Sequence, residues 1–216
     1  VNTKDLPFEG GKGVADPHRK GDWMQCWTGR RFYPADPCPE DVHILDCIFA
    51  LANKSRYNGH CQFYSVMEHS CLVSDLMPEG MQLDGLTHDF DEVYFPDVHR
   101  PAKRAMGKDN ILFTLMRNAW EQAICPALNL RPTIPDEVLL MDTQICVLEK
   151  KALHPRSQEW DLPYPMPKAR IQCWPASVAR RMGLIKWCAL TGSDVKGLMA
   201  KMEELEEQDA HALAHQ

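Results

Sequence analysis

The sequence predicts an all-α fold, a helical bundle with a short extended hairpin near its N-terminus. Three observations predict it. Beyond residue 40, apolar residues recur at steps of three and four, which gathers them on one face of a 3.6-residue helix. A single stretch, MQCWTGRRFYP over residues 24–34, alternates instead, with Thr28-Gly29 at its middle as a turn. Proline and glycine fall between the periodic segments, where they end one helix and open the next.

Residues 1–23, rich in Gly, Lys and Asp without periodicity, read as a flexible N-terminal arm. The hairpin follows, and Pro39-Glu40-Asp41 then resembles a helix opening, with acids in its first turn. Val42, Leu45, Ile48, Phe49 and Ala52 predict a helix over 41–54, closed by the turn Arg56-Tyr57-Asn58-Gly59. A second helix carries Val66, His69, Leu72, Val73 and Leu76 and stops at Pro78. The third is predicted over 81–94 through Leu83, Leu86, Phe90 and Val93, the fourth over 108–124, and the fifth over 136–153 through Val138, Met141, Ile145 and Leu148. A proline-rich stretch follows and must be irregular. Pro175 opens a helix over 176–190 with Val178, Met182 and Ile185 on one face. Ser193 is the expected N-cap of a last charged helix, and the tail QDAHALAHQ is expected to fray. The domain proper spans 24–192, with 193–216 as a C-terminal helix and tail.

At 216 residues the chain fits one domain with tails, and 44% hydrophobic with 25% charged residues is globular composition. A net charge of −6 gives no overall electrostatic footprint for a nucleic-acid polymer. No window approaches the about 18 consecutive apolar residues of a membrane span, and the N-terminal stretch has no signal-peptide run. A soluble, cytoplasmic protein is expected. Nine cysteines without a C-x-x-C pair read as scattered thiols rather than a zinc or disulfide framework.

Two polar residues break the helical pattern, and a polar cluster accompanies them. His69 lies on the apolar stripe of its helix, and Asp142 repeats the anomaly four residues after Val138 and three before Ile145. His88-Asp89, with Glu92 one turn on, projects from one side of the third helix. Singly, these are a core histidine and a solvated face. Together, two histidines and two aspartates from three helices make a ligand set for a divalent ion, since a buried carboxylate costs several kcal/mol unless a cation meets it.

His69…His88-Asp89…Asp142 resembles the H…HD…D signature of the HD-domain phosphohydrolases. The similarity continues through Thr28-Gly29-Arg30-Arg31-Phe32, Arg56 to His60, Tyr64 to Ser70, and His88 through Glu92, Asp97 and Arg100 to Lys103. It covers about residues 24–192 and points to the phage-type branch that includes dATP triphosphohydrolases and is related to bacterial 5′-deoxynucleotidases. Phe90-Asp91 departs from the small residues common there. The resemblance implies that His69, His88, Asp89 and Asp142 hold the metal (zinc, cobalt, manganese or magnesium), that Glu92 serves the attacking water, and that Arg30, His60 and Lys103 lie near the substrate phosphates. It also implies a deoxynucleotide substrate, cytoplasmic location in a host if the protein is phage-encoded, and a homo-oligomer. His60 competes with His69 for the first ligand position. Arg31, Lys54, Arg56, Arg100 and Arg104 are further candidates for phosphate contacts. Trp27, just before Gly29, is the candidate for stacking a nucleobase, or else a hydrophobic plug. For Trp160 and Trp174 the expectation is packing. The expected activity is dNTP triphosphohydrolysis with dATP leading; the alternatives are a 5′-deoxynucleotidase and a non-catalytic nucleotide sensor.

Overall fold

The computed structural model describes residues 18–156, 158, 160 and 163–215. The described residues are mostly helical, with a hairpin in which β1 (Met24–Gln25) runs antiparallel to β2 (Arg31–Phe32) with Met24 opposite Phe32. The Gly29 N–H donates to the Cys26 carbonyl at 3.1 Å, closing a turn in which Gly29 has φ +88°, a conformation cheap only for glycine. Two contacts fasten the hairpin to the bundle. Asp46 accepts the Thr28 N–H at 2.8 Å and its hydroxyl at 2.7 Å, and the buried Phe32 ring stacks on Tyr94 at 3.6 Å. Of the expected arm, residues 1–17 lie outside the described residues. Arg19 is tied down, donating to Asp36 at 3.1 Å and to Asp41 at 2.6 Å.

A 3₁₀ turn at Pro39–Asp41 precedes α1 (Ile44–Asn53), so the helix begins later than its periodicity predicts. Val42 between them is extended, and the His43 ring accepts the Leu45 N–H as N-cap. The second helix, α2 (Val66–Leu76), is capped by Ser65, whose hydroxyl accepts the Glu68 N–H at 3.1 Å. Ser65-Val66-Met67-Glu68 has the spacing of a capping box. The Glu68 carboxylate turns away instead, accepting the N–H groups of Gln172, Cys173 and Trp174 at 2.8, 3.0 and 2.6 Å. That contact fixes the end of the proline-rich stretch against α2.

The predicted 81–94 helix is broken. α3 (Gln82–Thr87) ends before His88, and a 3₁₀ turn at Phe90–Glu92 follows. Phe90, Val93, Tyr94 and Phe95 are all buried, and no single face of a helix would bury all four. Lys54 holds the turn from below. Its ammonium donates to the carbonyls of Glu92, Val93 and Phe95, which is why it is no phosphate ligand. The helix α4 (Arg100–Met106) is unforeseen; it buries no residue and so carries no apolar stripe to read. The predicted fourth helix is α5 (Ile111–Ala119), continued by a wider π turn at Trp120–Ile124 into the short α6 (Cys125–Leu128).

α7 (Asp136–Leu153) keeps its predicted limits, and α8 (Ala176–Thr191) closely matches its own, ending at Gly192 with φ +73°. The inward face of α8 is nevertheless not the predicted one. Val178, Met182 and Ile185 are 39%, 39% and 44% exposed, whereas Ala179, Gly183, Leu184, Trp187 and Cys188 are buried. A Cβ on Gly183 would run into the Met67 thioether, so α8 approaches α2 closely at a position that admits no side chain. α9 (Val195–Ala214) is capped by Asp194 rather than Ser193 and runs through the tail expected to fray. Its Met202 and Leu205 join the main core with α1, α2 and α8. A smaller core of Val73, Met77, Val138 and Ile145 locks α7 against α2. Among the described residues, no helix is long and apolar enough to cross a membrane.

Candidate metal centre

The second core sets the site, because it holds one face of α7 against the face of α2 that bears His69. Gly85 brings α3 in as the third wall, since a Cβ there would lie 3.0 Å from the Ser74 Cα on α2. His69 is wholly buried and His88 nearly so. Both rings are oriented from behind. His69 Nδ1 lies 2.8 Å from Glu149 Oε1 and His88 Nδ1 lies 2.9 Å from the Gly85 carbonyl. Each Nδ1 therefore donates its N–H outward, leaving the Nε2 lone pairs aimed at one point. With both rings neutral, neither Nε2 has a hydrogen-bond partner.

His69, His88 and Asp142 offer donor atoms within 4.8 Å of one another. Asp142 Oδ1 is 3.1 Å from His69 Nε2, while Asp89 Oδ2 is 3.3 Å from His88 Nε2 and 3.8 Å from His69 Nε2. Ligands at about 2.1 Å from a tetrahedral ion sit about 3.4 Å apart, so these separations fit a small divalent cation. The four side chains predicted as ligands thus converge, with Asp89 slightly outside the tightest three. The competitor, His60, is exposed in the turn after Arg56.

Behind the ligands lies a charged layer. Glu149, fully buried, accepts from Arg56 Nη2 at 3.3 Å and from the Tyr57 hydroxyl. Arg56 also reaches Asp89, at 3.6 Å. Burial alone would raise the Glu149 carboxyl, but Arg56 and His69 outweigh it and hold it down at about 2. Burial and Arg56 disfavour the His69 imidazolium, yet Glu149 and Asp142 prevail and raise its pKa to about 9. Without a cation, a proton on Nε2 occupies the point where the ligands converge. Glu92, buried beside this cluster, is pushed up to about 9 by burial and by Asp89. Its Oε1 lies 3.5 Å from Lys103 Nζ, and its Oε2 has no partner.

Above the cluster opens a cavity of about 410 Å³ lined by Asp89, Glu92 and Asp142, by Arg56, Arg100, Lys103 and Arg104, and by Tyr57 and Trp160. Arg100 donates to Asp142 Oδ2 at 3.0 Å. Lys103 is the only one of the four predicted substrate residues to line the cavity. Trp27 stacks on Phe49 at 4.0 Å, donates its indole N–H to Asp209 at 2.7 Å, and borders a separate hollow of about 510 Å³. Arg30 donates to the Glu40 carbonyl at 3.0 Å. Neither they nor His60 or Arg31 line the cavity.

Sequence reasoning missed Glu149 and named Arg56 only as a candidate phosphate contact, without its pairing to Glu149 and Asp89. Glu149 had a legible signal, lying seven residues after Asp142 on the same face of a helix, and a buried ligand histidine commonly pairs with a carboxylate. Trp160 had none.

No protein-family model matches the chain. It is 34% identical over 85 residues, 39% of its length, to the uncharacterized protein YfdR of Escherichia coli strain K12, and covers 48% of that protein. It is also 37% identical over 99 residues, 41% of its length, to the uncharacterized protein RCAP_rcc00048 of Rhodobacter capsulatus, covering 50%. The chain thus spans about half the length of the curated relatives it matches.

Proposed function

We propose that the protein is a metal-dependent deoxynucleotide phosphohydrolase, a dNTP triphosphohydrolase with dATP as leading substrate, releasing deoxynucleoside and inorganic triphosphate. One observation carries the reading. Two buried histidines present unpartnered Nε2 atoms beside two aspartates, and those aspartates line a cavity together with four basic side chains. His69, His88, Asp89 and Asp142 would hold the ion. When bound, a divalent ion supplies Lewis acidity toward a phosphoryl oxygen and a water acidic enough to be deprotonated at about pH 7.

The remaining chemistry belongs to side chains. Glu92 Oε2, buried and unpartnered, is the acceptor for the proton of the attacking water. With a cation held by Asp89 and its neighbours, the burial and repulsion that raise the Glu92 pKa would be countered, and Glu92 would take the ionised form a base requires. Lys103 orients Glu92 and, with Arg100 and Arg104, supplies positive charge for the phosphate oxygens as the P–O bond to the 5′ oxygen breaks. Glu149 and Arg56 hold His69 and Asp89 in place without touching substrate.

The test is a panel of dNTPs, dNMPs and NTPs incubated with metal-loaded protein, with phosphate, pyrophosphate and triphosphate resolved as products. Intact triphosphate from dATP is the expected result. Turnover of dAMP alone would make the protein a 5′-deoxynucleotidase, dADP plus phosphate would refute cleavage next to the nucleoside, and binding without turnover would leave a nucleotide sensor.

A further inference from the structure

The mechanism above uses the charged lining of the cavity and leaves its aromatic part idle. Tyr57 and Trp160 both line the cavity, with ring centroids 6.0 Å apart and planes tilted by 45°. His154 braces both, edge-on to Tyr57 at 4.7 Å and 5.2 Å from Trp160. Tyr57 is held hard in place. Its backbone has φ 57° and ψ 27°, a left-handed conformation uncommon for a bulky residue, and its hydroxyl is anchored on buried Glu149. Trp160 is half-buried, so part of a large apolar ring faces a cavity otherwise rich in charge. An aromatic surface beside cations suits a ligand that is anionic at one end and planar at the other.

We infer that Tyr57 and Trp160 form the base-binding wall of the cavity, taking the planar ring of the nucleotide by stacking. The inference rests on the function proposed above and deepens it by assigning the base to this wall and not to Trp27, which stacks one face on Phe49 and does not line the cavity. A purine offers more stacking area than a pyrimidine, so the wall favours purine deoxynucleotides. Trp160 is the residue to vary, because the Tyr57 hydroxyl also fixes Glu149 and hence His69.

The test measures binding by calorimetry in the full chain carrying Glu92→Gln, loaded with magnesium, with dATP and inorganic triphosphate as separate ligands. Base–aromatic stacking predicts that Trp160→Leu weakens dATP binding by about 5- to 150-fold. Trp160→Phe should restore most of that affinity, and inorganic triphosphate should bind equally in all three proteins. Unchanged dATP affinity in Trp160→Leu overturns the inference, as does equal weakening of triphosphate, which would make Trp160 a prop for the cavity. Activity assays in the chain that keeps Glu92 tell the two readings apart. Hydrolysis of dATP with an unchanged KM in Trp160→Leu removes the wall alone. Base-dependent binding by Trp160 in a protein that hydrolyses nothing keeps the wall and removes the phosphohydrolase.

Discussion

Glu149 and Glu92 are both buried carboxylates near one cluster, and their surroundings assign them different work. Glu149 is held ionised by Arg56, His69 and Tyr57 and points its charge at the back of a ligand ring. Replacing it with Gln should leave the fold recognisable and weaken metal binding by about 10- to 100-fold, the usual cost of losing such an orienting partner; metal titration of the apo variant checks this. Glu92 lines the cavity, carries a buried, unpartnered Oε2 and lies outside the His69, His88 and Asp142 cluster. Glu92→Gln should keep the metal while turnover falls by about 10² to 10⁴. Near wild-type rates in that variant would remove Glu92 from the chemistry.

Elements act on the site through how closely they approach. α3 reaches α2 only because residue 85 has no side chain, and the same residue's carbonyl fixes the His88 ring. Gly85→Ala forces a methyl against the Ser74 backbone, which cannot yield as a flexible side chain would. A loss of about 1–3 kcal/mol is expected for overpacking of this kind, with metal affinity falling as well because His88 moves with α3. Chemical denaturation and metal titration of one preparation would separate the two effects, and wild-type values in both would show that the helices have room to part. The break of the helix at His88 belongs to the same scale. It places Asp89 and Glu92 on a turn, Asp89 beside His88 and Glu92 along the cavity, instead of stacking along one helix face.

Across the whole molecule, the site makes the metal-free protein hold protons that the unfolded chain would release. His69 is raised from 6.5 to about 9 and Glu92 from 4.5 to about 9. Stability that depends on a raised pKa is present below the unfolded value and is lost as pH climbs through the folded one. The metal-free protein should therefore lose thermal stability as pH rises from about 6 to 8. Lys54, lowered to about 8 by burial, opposes this trend only above that range. A divalent cation should abolish the decline, because it takes the proton's place on His69 and lowers the pKa of Glu92, and should raise Tm at every pH in the window. Melting curves with and without chelator test this; a metal-free Tm that rises with pH would contradict the arrangement of charges described for the site.

By itself the sequence determined the all-α class, the hairpin, the limits of α7 and nearly those of α8, and the four side chains that meet beside α2. These were legible because they are local: periodic burial marks a helix, and a histidine or aspartate on an apolar stripe marks an exception that needs a partner. Only the tertiary structure decided what stands behind and above those four residues. Val178, Met182 and Ile185 recur at helical spacing yet lie exposed, while the other face of α8, where Gly183 leaves room for Met67 of α2, carries the buried Leu184 and Trp187. Trp27 and Arg30 precede the bundle in sequence but lie away from the cavity, while Glu149 and Trp160, far along the chain, come to the ligands and the cavity wall. Which distant side chains share a cavity depends on how whole elements pack, and no spacing within a single segment encodes it.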